Sequence, residues 1–403
     1  MSRLSSVALD RILDSRGQWT VEATVVLDSG ARGRAGAPSG ASTGVHEARA
    51  FPDGGVDEAL RAFETRVRPA LHGREADLAA VDASLHAVDR SSDFREIGGN
   101  TATAISLATA IALSVERGMP LWRLLARPGV NGTSFPAIVG NCLNGGRHAI
   151  GGPDIQEFHA IARGRTPEES VAAALRVHAL VGEALRKRQP QSALGRGDEG
   201  GWVASIGNIE ALEILADACA RAHDELKVDV RPGLDLAASE FYRDGRYRYR
   251  EQTLDGEGQL GFVSGLVDRY GLAYVEDPFD QEAFGLFAEL TRAVGARVQV
   301  VGDDLFVSRV SRLEQGLAAG STNAVLIKVN QTGTLTDTLA TVDLARSRGL
   351  ATVTSHRSGD LPEGWLAQFA VASGAAGLKC GLLGGERAAK LNELLRLGRP
   401  ART

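Results

Sequence analysis

Three carboxylates, two lysines and a histidine recur at measured intervals in the second half of the chain: Asp235, Glu276, Asp303, Lys328, His356 and Lys379, separated by 41, 27, 25, 28 and 23 residues. From Glu276 onward each step equals about one strand plus one helix, ~5–6 and ~11–12 residues joined by short loops. Several of the six close a short apolar stretch, as Ala273-Tyr-Val does before Glu276 and Ala324-Val-Leu-Ile before Lys328. In a closed parallel barrel such positions converge on one rim, where enzymes of that architecture keep their sites. Asp235, Glu276 and Asp303 offer hard oxygen donors with no thiolate or paired histidine, a set that favours Mg²⁺. Lys328 sits in Leu326-Ile-Lys-Val-Asn330, where a lysine is costly unless paired or neutral. Beside a dication and Lys379 its pKa is expected to fall, as a general base requires.

Other acids and loops extend that chemistry. Glu199 lies in Gly197-Asp-Glu-Gly-Gly201 and Glu157 in Ile155-Gln-Glu-Phe158. Each alone reads equally as a solvated charge; together, around a departing hydroxide, they could share a proton and act as an acid. Ser355-His-Arg-Ser-Gly359 puts an imidazole, a guanidinium and a hydroxyl on one loop, a cradle for phosphate or carboxylate, unless the arginine is merely solvated. Pro38-Ser-Gly-Ala-Ser-Thr-Gly44 is either a mobile lid whose hydroxyls reach a metal or phosphate or an ordinary flexible linker.

The elements that must position these residues follow from periodicity. Residues 1–125 read as a separate α+β unit, with strands at 20–27 and 31–37 around Asp28-Ser-Gly30 and helices at 56–71, 75–88 and 101–117. Pro128–Gly132 is the expected linker. From residue 133 to 403 the pattern alternates strand and helix, with helices expected at 166–188, 208–222, 258–270, 281–294, 308–319, 335–348, 362–373 and 386–397. So many units predict an α/β fold, a (β/α)8-type barrel carrying an N-terminal α+β capping domain. Asp244-Gly-Arg246 is read as a hairpin turn at the barrel rim.

Of the 403 residues, 43% are hydrophobic and 24% charged, with a net charge of -5. That suits a globular enzyme with a large core and argues against nucleic acid or an anionic membrane as partner. Cys142, Cys219 and Cys380 form no C-x-x-C pair and read as reduced thiols of a cytoplasmic protein. The first fifteen residues hold no apolar core of a secretory signal. The nearly apolar run at 101–115 is too short to span a bilayer.

Taken together, the segments resemble the enolase (phosphopyruvate hydratase) family over essentially the whole chain. The resemblance rests on Asp14-Ser-Arg-Gly17, Pro38–Ala48, Asn144-Gly-Gly-Arg-His148, Gln156-Glu-Phe158, Gly197–Gly201, Ser239-Glu-Phe241, Glu276-Asp-Pro-Phe279, Gly302-Asp-Asp-Leu305, Lys328-Val-Asn-Gln331, Ser355–Gly359 and Lys390–Arg396. It implies that Asp235, Glu276 and Asp303 hold a first Mg²⁺, and that Ser42 on the lid joins a second arriving with substrate. It implies Lys328 as base, Glu199 with Glu157 as acid, and His148 as a catalytic loop contact. Lys379, His356, Arg357, Ser358 and Gln156 would bind the substrate's carboxylate and phosphate. The reaction implied is dehydration of a 2-phosphoglycerate-like acid, in a homodimer, although Asp10 stands where enolases carry an arginine that pairs across the dimer.

Departures surround these groups. Gly17-Gln-Trp-Thr20, Gly195-Arg-Gly197, Phe158-His-Ala160, Ser358-Gly-Asp360 and Gly384-Gly-Glu-Arg387 all differ from the usual family pattern. A specialised paralogue resembling carboxyphosphonoenolpyruvate synthase, acting on a phosphonate analogue, is therefore an expectation to test. Arg147 and Arg196 are the candidates to meet its extra anionic group. The alternatives are an inactive enolase-fold binding protein and another branch of the superfamily.

Overall fold

The computed structural model describes residues 2–41, 43–191 and 193–399. The N-terminal unit is a three-stranded antiparallel sheet, Leu4–Leu13, Trp19–Leu27 and Arg32–Gly36 in that order, with helices on one side. The first strand is an addition to the sequence reading. Its buried residues Leu4, Val7 and Leu9 break a strict period of two, and the register slips between Leu4 and Ser6. Helix Gly99–Glu116 covers the sheet. It comes so close that a Cβ on Gly33 would lie 2.0 Å from the Ala108 carbonyl oxygen. The helix expected at 56–71 widens into a π turn at Phe63–Val67, just ahead of Pro69, which lacks an N–H to donate.

Eight strands close the barrel: Ala137–Asn144, Glu157–Arg163, Asp229–Asp235, Tyr274–Glu276, Gln299–Gly302, Ala324–Ile327, Ala351–Ser355 and Gly377–Gly381. They pair in that order, and the eighth returns to the first. Val139, Ile161, Tyr274, Val301, Leu326 and Val353 fill its interior, and a larger apolar layer lies between barrel and helices. The helices fall where periodicity put them, within a few residues. Asp255, Thr166 and Thr334 cap three of them through their side-chain oxygens. Asp244 and Gly245 both take positive φ, 53° and 76°, as a two-residue hairpin turn needs.

One expectation is corrected. The barrel is not wholly parallel: the second strand runs antiparallel to the first and third. No long helix separates the first two strands, only residues 145–156 with a single turn at Gly146–His148, so the chain reverses as in a hairpin. Two helices in succession, Pro167–Arg188 and Asn208–Leu226, run out and back and restore the direction for strand three. The consequence is chemical. A reversed strand presents its first residue, Glu157, at the rim where its neighbours present their last; Glu157 pairs with Asn144 on one side and Asp235 on the other.

Candidate active site

A polar cavity opens at that rim, lined by Gln156, Glu157, Asp235, Asp303, Lys328 and Lys379 from strand ends and by His148, Glu199, His356, Arg357 and Ser358 from loops. Glu276 lies fully buried beneath it. The sequence-predicted residues are thus brought together, apart from Ser42, which lies outside the described residues. Its neighbours do reach the site: Gly40 lines the cavity, and the Ala41 N–H donates to Ser358 Oγ at 2.6 Å.

The two lysines sit among the acids. Lys379 Nζ donates to Asp235 Oδ2 at 2.8 Å and Glu276 Oε1 at 2.7 Å, and lies 3.6 Å from Glu157 Oε1. Burial opposes its charge, but those three carboxylates hold its pKa well above the usual lysine value. Lys328 pairs with Asp303. Its pKa is raised: burial pushes it down, as do the Arg357 and Lys379 charges, and Asp303 outweighs them; the expected fall belongs to a lysine beside a bound dication. Gln331 donates to the other oxygen of Asp303 at 2.9 Å. Asp277, held at a φ of 40°, accepts from the backbone N–H of Asp303 at 2.9 Å and of Asp304 at 2.7 Å. Tyr274 donates its hydroxyl to Glu276. The sequence reading missed Tyr274, Asp277 and Gln331.

The acid pair is built by three elements. Glu157 and Glu199 share the Asn141 amide, whose Nδ2 donates to Glu157 Oε2 at 3.2 Å and Glu199 Oε2 at 3.1 Å. Asn141 was also missed; a lone amide inside the apolar strand Ala137–Asn144 was the available signal. Burial drives Glu157 up to about 8, and the Glu199 charge adds to it against the pull of Lys379. Burial would raise Glu199 too, yet neighbouring positive charge holds it well below the usual carboxylate range. His356 is the largest contributor, followed by His148 and the buried Arg387. Burial takes His356 itself down to about 4. For His148, burial is outweighed by Glu199, Asp198 and Glu157, which carry it up to about 9; its Nδ1 lies 2.7 Å from Asp198. Of the pair, Glu157 is the member pushed toward its protonated form.

The anion loop is clamped from two sides. Arg357 reaches Glu47 of the N-terminal unit at 3.0 Å and Asn330 at 2.9 Å. Backbone bonds of 2.7 and 2.8 Å join Ser39 to Gly359. Beneath, the fully buried Arg387 donates to the carbonyls of Arg357 and Ser358 at 2.6 and 2.7 Å and to Asp360 at 3.0 Å. Lys390 completes this base, 3.0 Å from Asp360. One of the sequence departures, Asp360, is thus paired with Arg387 under the loop. Arg147 and Arg196 are engaged elsewhere, the first 2.6 Å from Glu240 and the second stacked over Trp202 at 5.2 Å. Neither lines the cavity.

The donor set fits a divalent cation. Burial and mutual repulsion raise Glu276 and Asp304 well above the usual carboxylate range and Asp277 to about 8. This end of the barrel thus crowds buried carboxyl groups whose ionised form a dication would favour. Among the described residues the tightest groups of possible ligands are Asp277, Asp303 and Asp304, and His148, Glu157 and Glu199. Asp235 and Glu276 are turned toward Lys379 instead.

Comparison with known proteins agrees with this architecture. The family model for the enolase N-terminal domain matches residues 4–125 and that for the enolase C-terminal TIM barrel domain matches 133–400. Proteins named enolase from Methanothermobacter thermautotrophicus and Halobacterium salinarum are 46% and 45% identical, over 98% of this chain and 96% and 99% of their own lengths. That of Picrophilus torridus is 40% identical over 96% of both chains. With both domains matched end to end, and a barrel whose reversed second strand brings Glu157 to the catalytic rim, the chain belongs to the enolase family.

Proposed function

We propose that this protein is a Mg²⁺-dependent carbon–oxygen lyase that removes water from 2-phosphoglycerate to form phosphoenolpyruvate. One observation carries the reading. Lys328, after strand six, and Glu157, opening strand two, stand four strands apart in an eight-strand ring. Lys328 and the Glu157–Glu199 pair therefore face each other across the barrel mouth, as an anti elimination requires of its base and acid. Lys328 takes the proton α to the carboxylate. Glu157 with Glu199 protonates the leaving hydroxyl. Arg357, Ser358 and Lys379 bind the anionic groups and fix the orientation. A bound Mg²⁺ at Asp235, Glu276 and Asp303 would stabilise the charge of the enolate-like dianion, the arrangement general to this superfamily.

We place 2-phosphoglycerate ahead of a carboxyphosphonate analogue because Arg147 and Arg196 already have partners and stand outside the cavity. An inactive paralogue fits poorly, since the lysines, the acid pair and the anion loop all converge. The cytoplasmic setting and the homodimer belong to the same proposal; light scattering decides the second. Purified protein is assayed with both substrates, with Mg²⁺ and with excess chelator. Turnover of 2-phosphoglycerate that needs Mg²⁺ is expected. Turnover of the analogue alone, or of neither, overturns the assignment.

A further inference from the structure

Glu199, which the proposed elimination needs at the rim, stands on a glycine-rich loop. Three of the five residues of Gly197–Gly201 are glycine, and Gly200 takes a φ of 80°. Such a loop holds a side chain in place only when its backbone is fixed from outside. The carbonyls on either side of Glu199 are both taken. That of Asp198 accepts from the buried Arg387 at 3.1 Å, and that of Gly200 accepts from His178 Nε2 at 2.9 Å. A carbonyl oxygen only accepts, so that ring nitrogen carries a proton whatever the charge of the imidazole.

His178 comes from helix Pro167–Arg188 and is buried. It is also tied to the residue that follows the loop. The Trp202 indole Nε1 donates to the His178 carbonyl at 2.9 Å, and the two rings lie 5.3 Å apart at 30°. Helix positions 178, 182 and 186 share one face, and each meets that indole. Gly182 leaves it room, since a Cβ there would lie 2.6 Å from the ring. Arg186 stacks over it at 5.2 Å, as does Arg196 from the short strand that enters the loop. None of these residues lines the cavity, and none has a part in the proposed reaction. A buried histidine bonded to a carbonyl serves stability anywhere; here the carbonyl belongs to the residue next to the acid.

We infer that His178 is a positioning residue: its Nε2–H bond to the Gly200 carbonyl, braced by the Trp202 indole, holds the Gly197–Gly201 loop so that Glu199 meets the leaving hydroxyl. This deepens the proposed function and rests on it. His178 touches no substrate; it acts through the loop backbone.

The test uses full-length His178→Phe, which keeps a ring against Trp202 without a donor, and His178→Gln, whose amide restores one. Both are assayed with Mg²⁺ and 2-phosphoglycerate, and mass spectrometry follows amide hydrogen exchange in peptides covering residues 195–203. In His178→Phe, incorporation of solvent deuterium at the α carbon and KM should stay within about 2-fold of wild type, because Lys328 and the anion loop are untouched. Elimination should fall by up to ~100-fold, the cost of a displaced catalytic group, and the loop amides should exchange faster. His178→Gln should recover most of both. A purely structural histidine would lower Tm and leave the ratio of elimination to deuterium incorporation unchanged, and that result overturns the inference. So does a glutamine variant no better than phenylalanine, or equal loss of the two rates. Should His178→Phe fail to fold, His178→Asn, whose amide is too short to reach Gly200, takes its place. If wild type neither incorporates deuterium nor eliminates, the lyase reading fails, and the loop's amide protection alone decides whether His178 fixes it.

Discussion

At the scale of single residues, base and acid are separable by experiment. Lys328→Ala should abolish exchange of the substrate's α proton with solvent, because the group that takes it is gone. Glu199→Gln should keep measurable exchange and lose elimination, because its partner acts only on the departing hydroxyl. Proton NMR in deuterated buffer follows both. Equal loss of exchange in the two variants, with substrate still bound, would dismiss the division of labour. The same pair sets a pH limb. Glu157, pushed up to about 8 by burial and by Glu199, carries its proton below that value and loses it above. Elimination is therefore expected to decline as pH rises through about 8, and exchange to persist there longer. A pH profile of the two rates, measured on one sample, checks the sign.

Elements are held to one another by contacts that leave no room. A Cβ on Gly381 in strand eight would lie 2.1 Å from the Glu199 carbonyl oxygen, which is backbone and cannot swing aside. Gly381→Ala should push the Gly197–Gly201 loop off the acid pair, lowering kcat sharply at a stability cost of about 1–3 kcal/mol. Paired kinetics and thermal melts distinguish this from unfolding. The N-terminal unit docks on the barrel through Asp82, which accepts from Ser106 at 3.0 Å and from the Thr336 N–H at 3.0 Å. Burial raises Asp82 to about 6 against those bonds, from 3.8. The folded state then binds more protons than the unfolded between pH 3.8 and 6, so this group's contribution to stability falls as pH rises through that window and levels off above it. Asp82→Asn does not titrate. Relative to wild type it should gain up to about 3 kcal/mol between pH 4 and pH 7, read from denaturant midpoints of both proteins at both pH values.

For the whole molecule, the crowded buried carboxyl groups at the barrel mouth tie metal binding to stability. Magnesium at a hundred times its Kd should stabilise the fold by about 2.7 kcal/mol, raising Tm, and excess chelator should remove that gain together with turnover. Asp303→Asn should lose the Tm response and the activity in parallel. Full activity in chelator, or an unchanged Tm response in the variant, would move the metal assignment elsewhere. No helix among the described residues is long and apolar enough to cross a membrane.

Much of the architecture was legible in the residue order, because strand-plus-helix spacing and apolar runs are local properties. The intervals from Glu276 to Lys379 predicted convergence on one rim; Asp303, Lys328, His356 and Lys379 line one cavity, and Glu276 meets Lys379 beneath it. What remained hidden depends on contacts between distant segments. The reversed second strand follows from a missing crossover helix rather than from the strand's own composition. Asn141, Tyr274 and Asp277 look like ordinary strand and turn residues until pairing sets them beside Glu157, Glu276 and Asp303. Asp360 and Arg387 read as unrelated residues until both are found under one loop. The sign of the shift at Lys328 could not be read from apolar flanks, since burial lowers a lysine's pKa and an adjacent carboxylate raises it. Only the tertiary structure, by placing Asp303 against that ammonium, decided which of the two prevails.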